Sequence, residues 1–303
     1  MSAPAQGFDP RTQADALASL RDRIEDALAR HLPAGAALSP RLLEAMRYST
    51  LAGGKRIRPL LVLAACSAGG GDASHAIVPA CALEYVHTYS LIHDDLPAMD
   101  NDVLRRGKPT CHVAFDEATA ILAGCGLLTH ALQLLAASPG CDDATRLAML
   151  ATVTEASGPY GMLAGQAFDL ASTGSNLDLP ALEALHAAKT GALIRAAVRI
   201  GGLCAGADEA TLARLDDYAR DIGLGFQVAD DLLNVGGDAA RLGKSVGSDA
   251  ALGKNTYPGL LGEGAARAQL EALHQRALDA LTDLGPAADL LRAIAHTLRD
   301  RDH

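Results

Sequence analysis

Two pairs of adjacent aspartates, Asp94-Asp95 and Asp230-Asp231, are the residues whose type and spacing point most directly to chemistry. The first pair opens the run Asp94-Asp95-Leu96-Pro97-Ala98-Met99-Asp100, followed by Asn101, Asp102, Arg105 and Arg106. Carboxylates this close repel one another unless a cation neutralises them. Clustered oxygen ligands suit Mg2+, which completes its octahedron with water and substrate phosphate. On a regular helix Asp94 and Asp100 would stand roughly 240° apart. Pro97 is expected to end the helix near Asp95, so that the following loop brings Asp100 back. A solvated acidic loop is the other reading of the same residues. The second pair begins Asp230-Asp231-Leu232-Leu233-Asn234, in which positions 230 and 234 share a helix face. An Asp-Asp pair in a helix is commonly surface charge, but this one sits between Phe226 and Leu232 in a very apolar helix, which argues against exposure.

Cations provide the counterpart. Gly53-Gly54-Lys55-Arg56-Ile57-Arg58-Pro59 places them on a glycine-rich turn, where backbone can approach a phosphate. Its glycine spacing fits neither a Walker P-loop nor a dinucleotide fingerprint. Arg105-Arg106, Lys189, Lys244 and Lys254 also lie in or near turns. Each could be an ordinary solvated charge. Two acidic clusters with separate basic ones imply two diphosphates, one held on metal and one on bare Lys and Arg.

The elements that must position these residues are helices. Of the 303 residues 49% are apolar and only 3% aromatic, with no Trp, so the core is expected to be packed from Leu and Ala, which enter helices at least cost. Asp9-Pro10 and Ser39-Pro40 each place a capping side chain before a proline at the first helical position. Residues 41–51, 75–93, 180–203 and 208–233 carry apolar residues at three- and four-residue spacing. Glycine- and proline-rich loops fall at 69–71, 138–140, 173–176, 236–237 and 285–286. No strand pattern, tandem repeat or dividing linker stands out. The expectation is one all-α domain over residues 1–303, of about ten or more helices.

A net charge of −10 excludes a general attraction to nucleic acid or anionic membrane. The six cysteines (Cys66, Cys81, Cys111, Cys125, Cys141 and Cys204) show no zinc-ligand spacing and read as reduced thiols of a cytoplasmic protein. The N-terminal residues lack the apolar stretch of a signal peptide. The charge-free stretch Ala118 to Ala137 is long enough to span a membrane. Its Thr119, Thr129, His130 and Gln133 make a buried helix of a soluble bundle the better expectation.

Taken in order, LAGGKRIRP (51–59), HTYSLIHDDLPAMDNDVLRRGKPTCH (87–112), GQAFDL (165–170), KTGALIRAAVR (189–199), GFQVADDLLNVGGD (225–238) and LGKNTYP (252–258) resemble the trans-isoprenyl diphosphate synthases, most closely the bacterial farnesyl diphosphate synthases. The likeness covers nearly the whole chain. It implies the all-helical terpenoid-synthase fold around a central apolar cavity, usually as a homodimer. It further implies Asp94 and Asp100 as ligands of two Mg2+ and Asp230 of a third, with Asp95 and Asp231 beside them, and Mn2+ able to substitute. Arg105, Lys189 and Lys244 would help grip the allylic diphosphate, dimethylallyl or geranyl. Lys55, Arg58, His87 and Arg106 would hold isopentenyl diphosphate, with Lys254 a further substrate-binding cation. From the residues alone His87 reads as a core histidine, and His93 as a helix-end residue without a catalytic part. Thr190 and Gln227 would turn oxygens toward the cationic carbon.

The resemblance implies a reaction of metal-assisted ionisation, condensation and proton elimination that needs no protein nucleophile. Farnesyl diphosphate is the expected product, with geranyl or geranylgeranyl diphosphate as alternatives. Tyr89 is the side chain expected to stop chain growth, its axial rise from Asp94 being only ~7.5 Å; Ser90 beside it is too small to do so. Three positions depart from the family pattern: Asn234 stands for the Asp that usually closes the second motif, Cys125 for an Asp, and Ala164 for a glycine. A terpene cyclase of the same fold would need no site for isopentenyl diphosphate, so the segment from Gly53 to Arg58 favours chain elongation. A non-catalytic partner subunit is the remaining alternative, hinted at only by Asn234 and Cys125.

Overall fold

The computed structural model of the chain describes residues 10–35, 38–236 and 255–300. Its helices are α1 (Pro10–His31), α2 (Pro40–Thr50), α3 (Ile57–Ala68), α4 (Ile77–Asp94), α5 (Cys111–Ala114), α6 (Glu117–Ala136), α7 (Asp143–Ser157), α8 (Met162–Ser172), α9 (Leu179–His186), α10 (Ala192–Cys204), α11 (Glu209–Gly236), α12 (Tyr257–Leu261), α13 (Glu263–Ala280) and α14 (Asp289–Arg299). The all-α expectation holds. One departure is a small antiparallel hairpin, Leu104–Arg105 with Lys108–Pro109. Arg106 and Gly107 make its turn with positive φ angles of 53° and 73°, a geometry that two-residue hairpins favour. Two-residue strands leave no alternating pattern to read.

Helices α3 and α4 are apolar on nearly every side and stand at the centre, as all-round hydrophobic helices must. Helix α3 packs against α10 and α4, and α4 against α6. A second, smaller cluster around Leu182, Val228, Leu232, Tyr257 and Leu273 ties α9, α11, α12 and α13 together. Ser39 occupies the N-cap of α2 ahead of Pro40 but makes no side-chain cap bond. Asp116, Asp142 and Asp178 do cap, each accepting from a backbone N–H three residues on.

The expectation that residues 118–137 form a buried helix needs correction. Helix α6 is long and apolar enough to cross a membrane, yet only 33% of its most apolar window is buried. Ala120, Ala123, Leu127, Ala131 and Leu135 enter the core, while Ile121 and Leu122 stay 45% and 59% exposed. A charge-free sequence does not distinguish a helix packed on all sides from one with an uncovered apolar face.

Candidate active site

The end of α4 and its loop realise the turn expected at Pro97. The helix stops at Asp94, and the Asp100 N–H donates to the Asp94 carbonyl at 2.8 Å, folding residues 95–99 back on themselves. Asp94 and Asp100 thus reach one cavity of about 620 Å³. Asp230, Asp231 and Asn234 of α11 line the same cavity, as do Lys55, Arg58, His87, Arg105, Arg106, Lys189, Thr190 and Gln227. Leu91, Ile194 and Phe226 supply apolar lining. Lys244 and Lys254 lie outside the described residues. Tyr89 and Ser90 are both buried but are not among the lining residues; Ser90 Oγ donates to the His87 carbonyl.

The two aspartates of each pair are placed differently. Asp95 is buried and receives Arg105 through Nε and Nη2, at 2.5–2.9 Å. Asp231 is buried, accepts the Tyr257 N–H at 2.9 Å and lies 3.7 Å from His186 Nε2. Asp94 carries no such clamp. Burial, reinforced by Asp100 and Asp95, pushes its carboxyl up to about 6 against the opposing pull of Lys189 and Arg105. An all-oxygen donor set whose charge is held down by burial fits a hard divalent cation. Among the described residues no three ligating side chains stand close enough to enclose an ion by themselves.

The cationic wall is built on glycines. Gly54, with φ +137°, lies under the Arg106 guanidinium, and a Cβ there would come within 2.6 Å of Arg106 Cζ. Arg106 Nη1 donates to the Gly53 carbonyl. Arg56, in the left-handed region at φ 53°, also lines the cavity, but its guanidinium is already paired. It is spent on Glu25, Glu84 and the Thr50 carbonyl, and it is among the largest fully buried side chains of the described residues. Arg58 differs: its Nε is buried without a hydrogen-bond partner. Burial, aided by Arg106, lowers Arg58 to about 10. His87 is held neutral well below its ordinary value by burial and by Arg58, Arg106, Arg105 and Arg56. Cations confined together with an unused donor mark a place prepared for an anion.

Lys189 and Thr190 sit on a π-helical turn, Ala187–Gly191, inserted between α9 and α10. Such turns are frequent at functional sites because they redirect side chains that an α-helix would spread around its axis. Helix α8 holds this turn in place. A Cβ on Gly165 would lie 2.3 Å from the Lys189 backbone nitrogen, so only glycine admits the contact. Lys189 Nζ donates to Asp169 at 2.6 Å, and Gln227 Nε2 approaches His186 Nδ1 at 3.3 Å. Asp169 and His186 line the cavity without having been singled out as site residues. Asp169 lies in the quoted GQAFDL segment, which was its only available signal. Burial lowers His186 to about 4.

A family model described as polyprenyl synthetase matches residues 39–285. The farnesyl diphosphate synthase of Escherichia coli (strain K12) is 51% identical over 245 residues, covering 80% of each chain. The farnesyl diphosphate synthase of Geobacillus stearothermophilus is 44% identical over 290 residues, covering 93% of this chain and 96% of that one. Among solved structures, an apo FPP/GFPP synthase from Zymomonas mobilis matches with a TM-score of 0.86 at 40% identity, covering 96% of this chain and all of that one.

Proposed function

This chain belongs to the polyprenyl synthetase family and is a short-chain trans-prenyltransferase, and from that premise we propose that it joins isopentenyl diphosphate to dimethylallyl or geranyl diphosphate and releases farnesyl diphosphate. One observation carries this reading: a carboxylate wall of Asp94, Asp100 and Asp230 shares a single cavity with a cationic wall of Lys55, Arg58 and Arg106, next to the neutral His87. A cyclase acting on one diphosphate has no use for the second wall.

Bound Mg2+, about three ions held by Asp94, Asp100 and Asp230 with Asp95 and Asp231 alongside, would supply the positive charge that makes a diphosphate a good leaving group, and Mn2+ would substitute. Lys189 exchanges its ion pair with Asp169 for the allylic diphosphate, joined by Arg105 and by Lys244 and Lys254. Asp95 keeps Arg105 aimed during this step. Arg58 Nε, Lys55, Arg106 and neutral His87 bind isopentenyl diphosphate and set its double bond against the reacting carbon. Thr190 and Gln227 turn oxygens toward the allylic cation, and the apolar lining keeps water from quenching it. Attack by the isopentenyl double bond leaves a cation at its C3, and the released pyrophosphate takes a proton from the adjacent C2, whose C–H electrons form the new double bond. Tyr89, with Ser90 too small to contribute, stops growth at fifteen carbons.

Residues 1–303 act as one catalytic unit, and the free state of all six cysteines suits the cytoplasm. The uncovered apolar face of α6 favours a homodimer. Incubating the purified protein with Mg2+, geranyl diphosphate and isopentenyl diphosphate tests the reading. A C15 diphosphate that disappears in excess chelator and returns with Mg2+ is expected. A cyclic hydrocarbon, or no condensation at all, would overturn it.

A further inference from the structure

His93 was expected to be an idle helix-end residue, yet it joins α4 to α6 beside Tyr89. On α4 the residues His87, Leu91 and Asp94 face the cavity. Tyr89 and His93, four apart, share a different flank. Their rings meet edge to face, with centroids 5.4 Å apart and planes at 88°. Tyr89 is only 5% exposed. His93 also reaches across to α6, where its Nε2 lies 3.1 Å from the Ile121 carbonyl oxygen.

The seat for this ring is a missing side chain. A Cβ on Gly124 would lie 2.3 Å from His93 Nε2 and 2.6 Å from Cδ2, distances no real contact permits. Gly124 is in mid-helix at an ordinary φ, so the backbone does not require glycine there, and glycine is a poor helix former. Close approach is therefore its reason. Burial, with Asp94 and with Cys125 next to Gly124, pushes the Tyr89 phenol up.

We propose that His93 is a positioning residue for product length: keyed into the Gly124 notch of α6, it fixes the Tyr89 ring that forms the floor behind the residues facing the cavity. The inference rests on the reading of this protein as a prenyl diphosphate synthase whose chain growth Tyr89 stops. Without His93 the buried Tyr89 ring would lose the contact that closes one of its sides. With His93 against it and α6 behind, a swing of that ring needs the rings to part or the helices to separate.

The test reads the C20:C15 product ratio with Mg2+, geranyl diphosphate and excess isopentenyl diphosphate. His93→Ala should raise that ratio about two- to tenfold, the range that one edge-to-face aromatic contact supports. His93→Gln keeps a donor for the Ile121 carbonyl but has no ring, and should raise it as well. Gly124→Ala expels the ring and should act in the same direction; if it does not fold, the two His93 variants still decide. Gly264→Ala, where an added Cβ meets nothing within 4 Å, should leave the ratio unchanged. Tyr89→Ala sets the upper limit of the shift. If Tyr89→Ala lengthens the product while both His93 variants stay at C15, the brace is overturned and the Tyr89 reading stands. If His93→Gln behaves as the parent and His93→Ala does not, the ring brace is overturned in favour of a simple tether to α6. If Tyr89→Ala also stops at C15, the Tyr89 reading fails and the inference falls with it, and an inactive parent protein overturns the functional reading itself.

Discussion

Arg58 and His87 share the same burial but not the same charge. Arg58 remains cationic in a site that leaves its Nε unpartnered, while His87, surrounded by four arginines, is kept neutral. A base whose folded-state pKa is depressed contributes stability that is complete above its unfolded value of about 6.5 and is lost as pH falls below it, because only the unfolded chain takes up the proton. His87→Gln removes this liability. Urea unfolding at pH 7 and pH 5 should show the parent losing more stability than the variant between those values, by on the order of 1 kcal/mol. Equal losses would mean that His87 titrates normally. At the acidic wall, Asp94→Ala should lower turnover about 100-fold or more, the scale of losing one preorganised charge at a reacting group. Asn101→Ala should cost far less, since Asn101 is not among the residues lining the cavity. Equal losses measured at saturating Mg2+ would show the ligands to be wrongly chosen. Asn234 faces the same cavity; if its missing charge weakens a metal site, Asn234→Asp should reach half-maximal rate at lower Mg2+.

At the scale of elements, the π turn at Ala187–Gly191 depends on glycines of its neighbours. Gly165 admits the turn from α8, and a Cβ on Gly223 of α11 would lie 3.2 Å from Gly191 Cα. Gly165→Ala should therefore destabilise the protein by about 1–3 kcal/mol, as overpacking does. It should also lower kcat by moving Lys189 and Thr190. A fall in thermal stability with unchanged kcat would separate the turn from catalysis. Much of this scaffold was legible beforehand. Pro97 announced the end of α4, and the spacing of 230 to 234 announced a shared face, because both follow from local backbone rules. The π turn was not legible, since one extra residue in a helix leaves the apolar period nearly intact over 180–203. Nor were the partners of Arg56 and Arg105. Arg56 reads as one more cation of a phosphate-binding turn, but Glu25 and Glu84, 31 and 28 residues away, claim it. Pairings of that kind are made by packing, which no local pattern records.

For the molecule as a whole, the largest mismatch between sequence and environment is the outer side of α6 and α7. Leu122 and Leu147 are 59% and 68% exposed, with Val113 and Leu163 at 49% each and Tyr160 at 90%. Single exposed leucines need no explanation, but several on neighbouring elements mark a surface that is ordinarily covered. The chain's net charge of −10 offers no attraction to an anionic membrane, and the proposed homodimer would cover this face with a second copy of the chain. Such an interface would also hold α6 in place, and α6 carries the notch that receives His93. Leu122→Asp and Leu147→Asp each set a charge on this face without touching the core, because both side chains already meet solvent. In sedimentation velocity the parent should run as a dimer, and each variant should shift toward the monomer, its circular dichroism unchanged. The monomeric variants should also release more C20 product than the parent, since α6 has lost its outer support. A monomeric parent, or variants that remain dimeric, would place the contact between subunits elsewhere. Dimer loss with an unaltered C20:C15 ratio would show that α4 and α6 hold the Tyr89 floor without help from a partner.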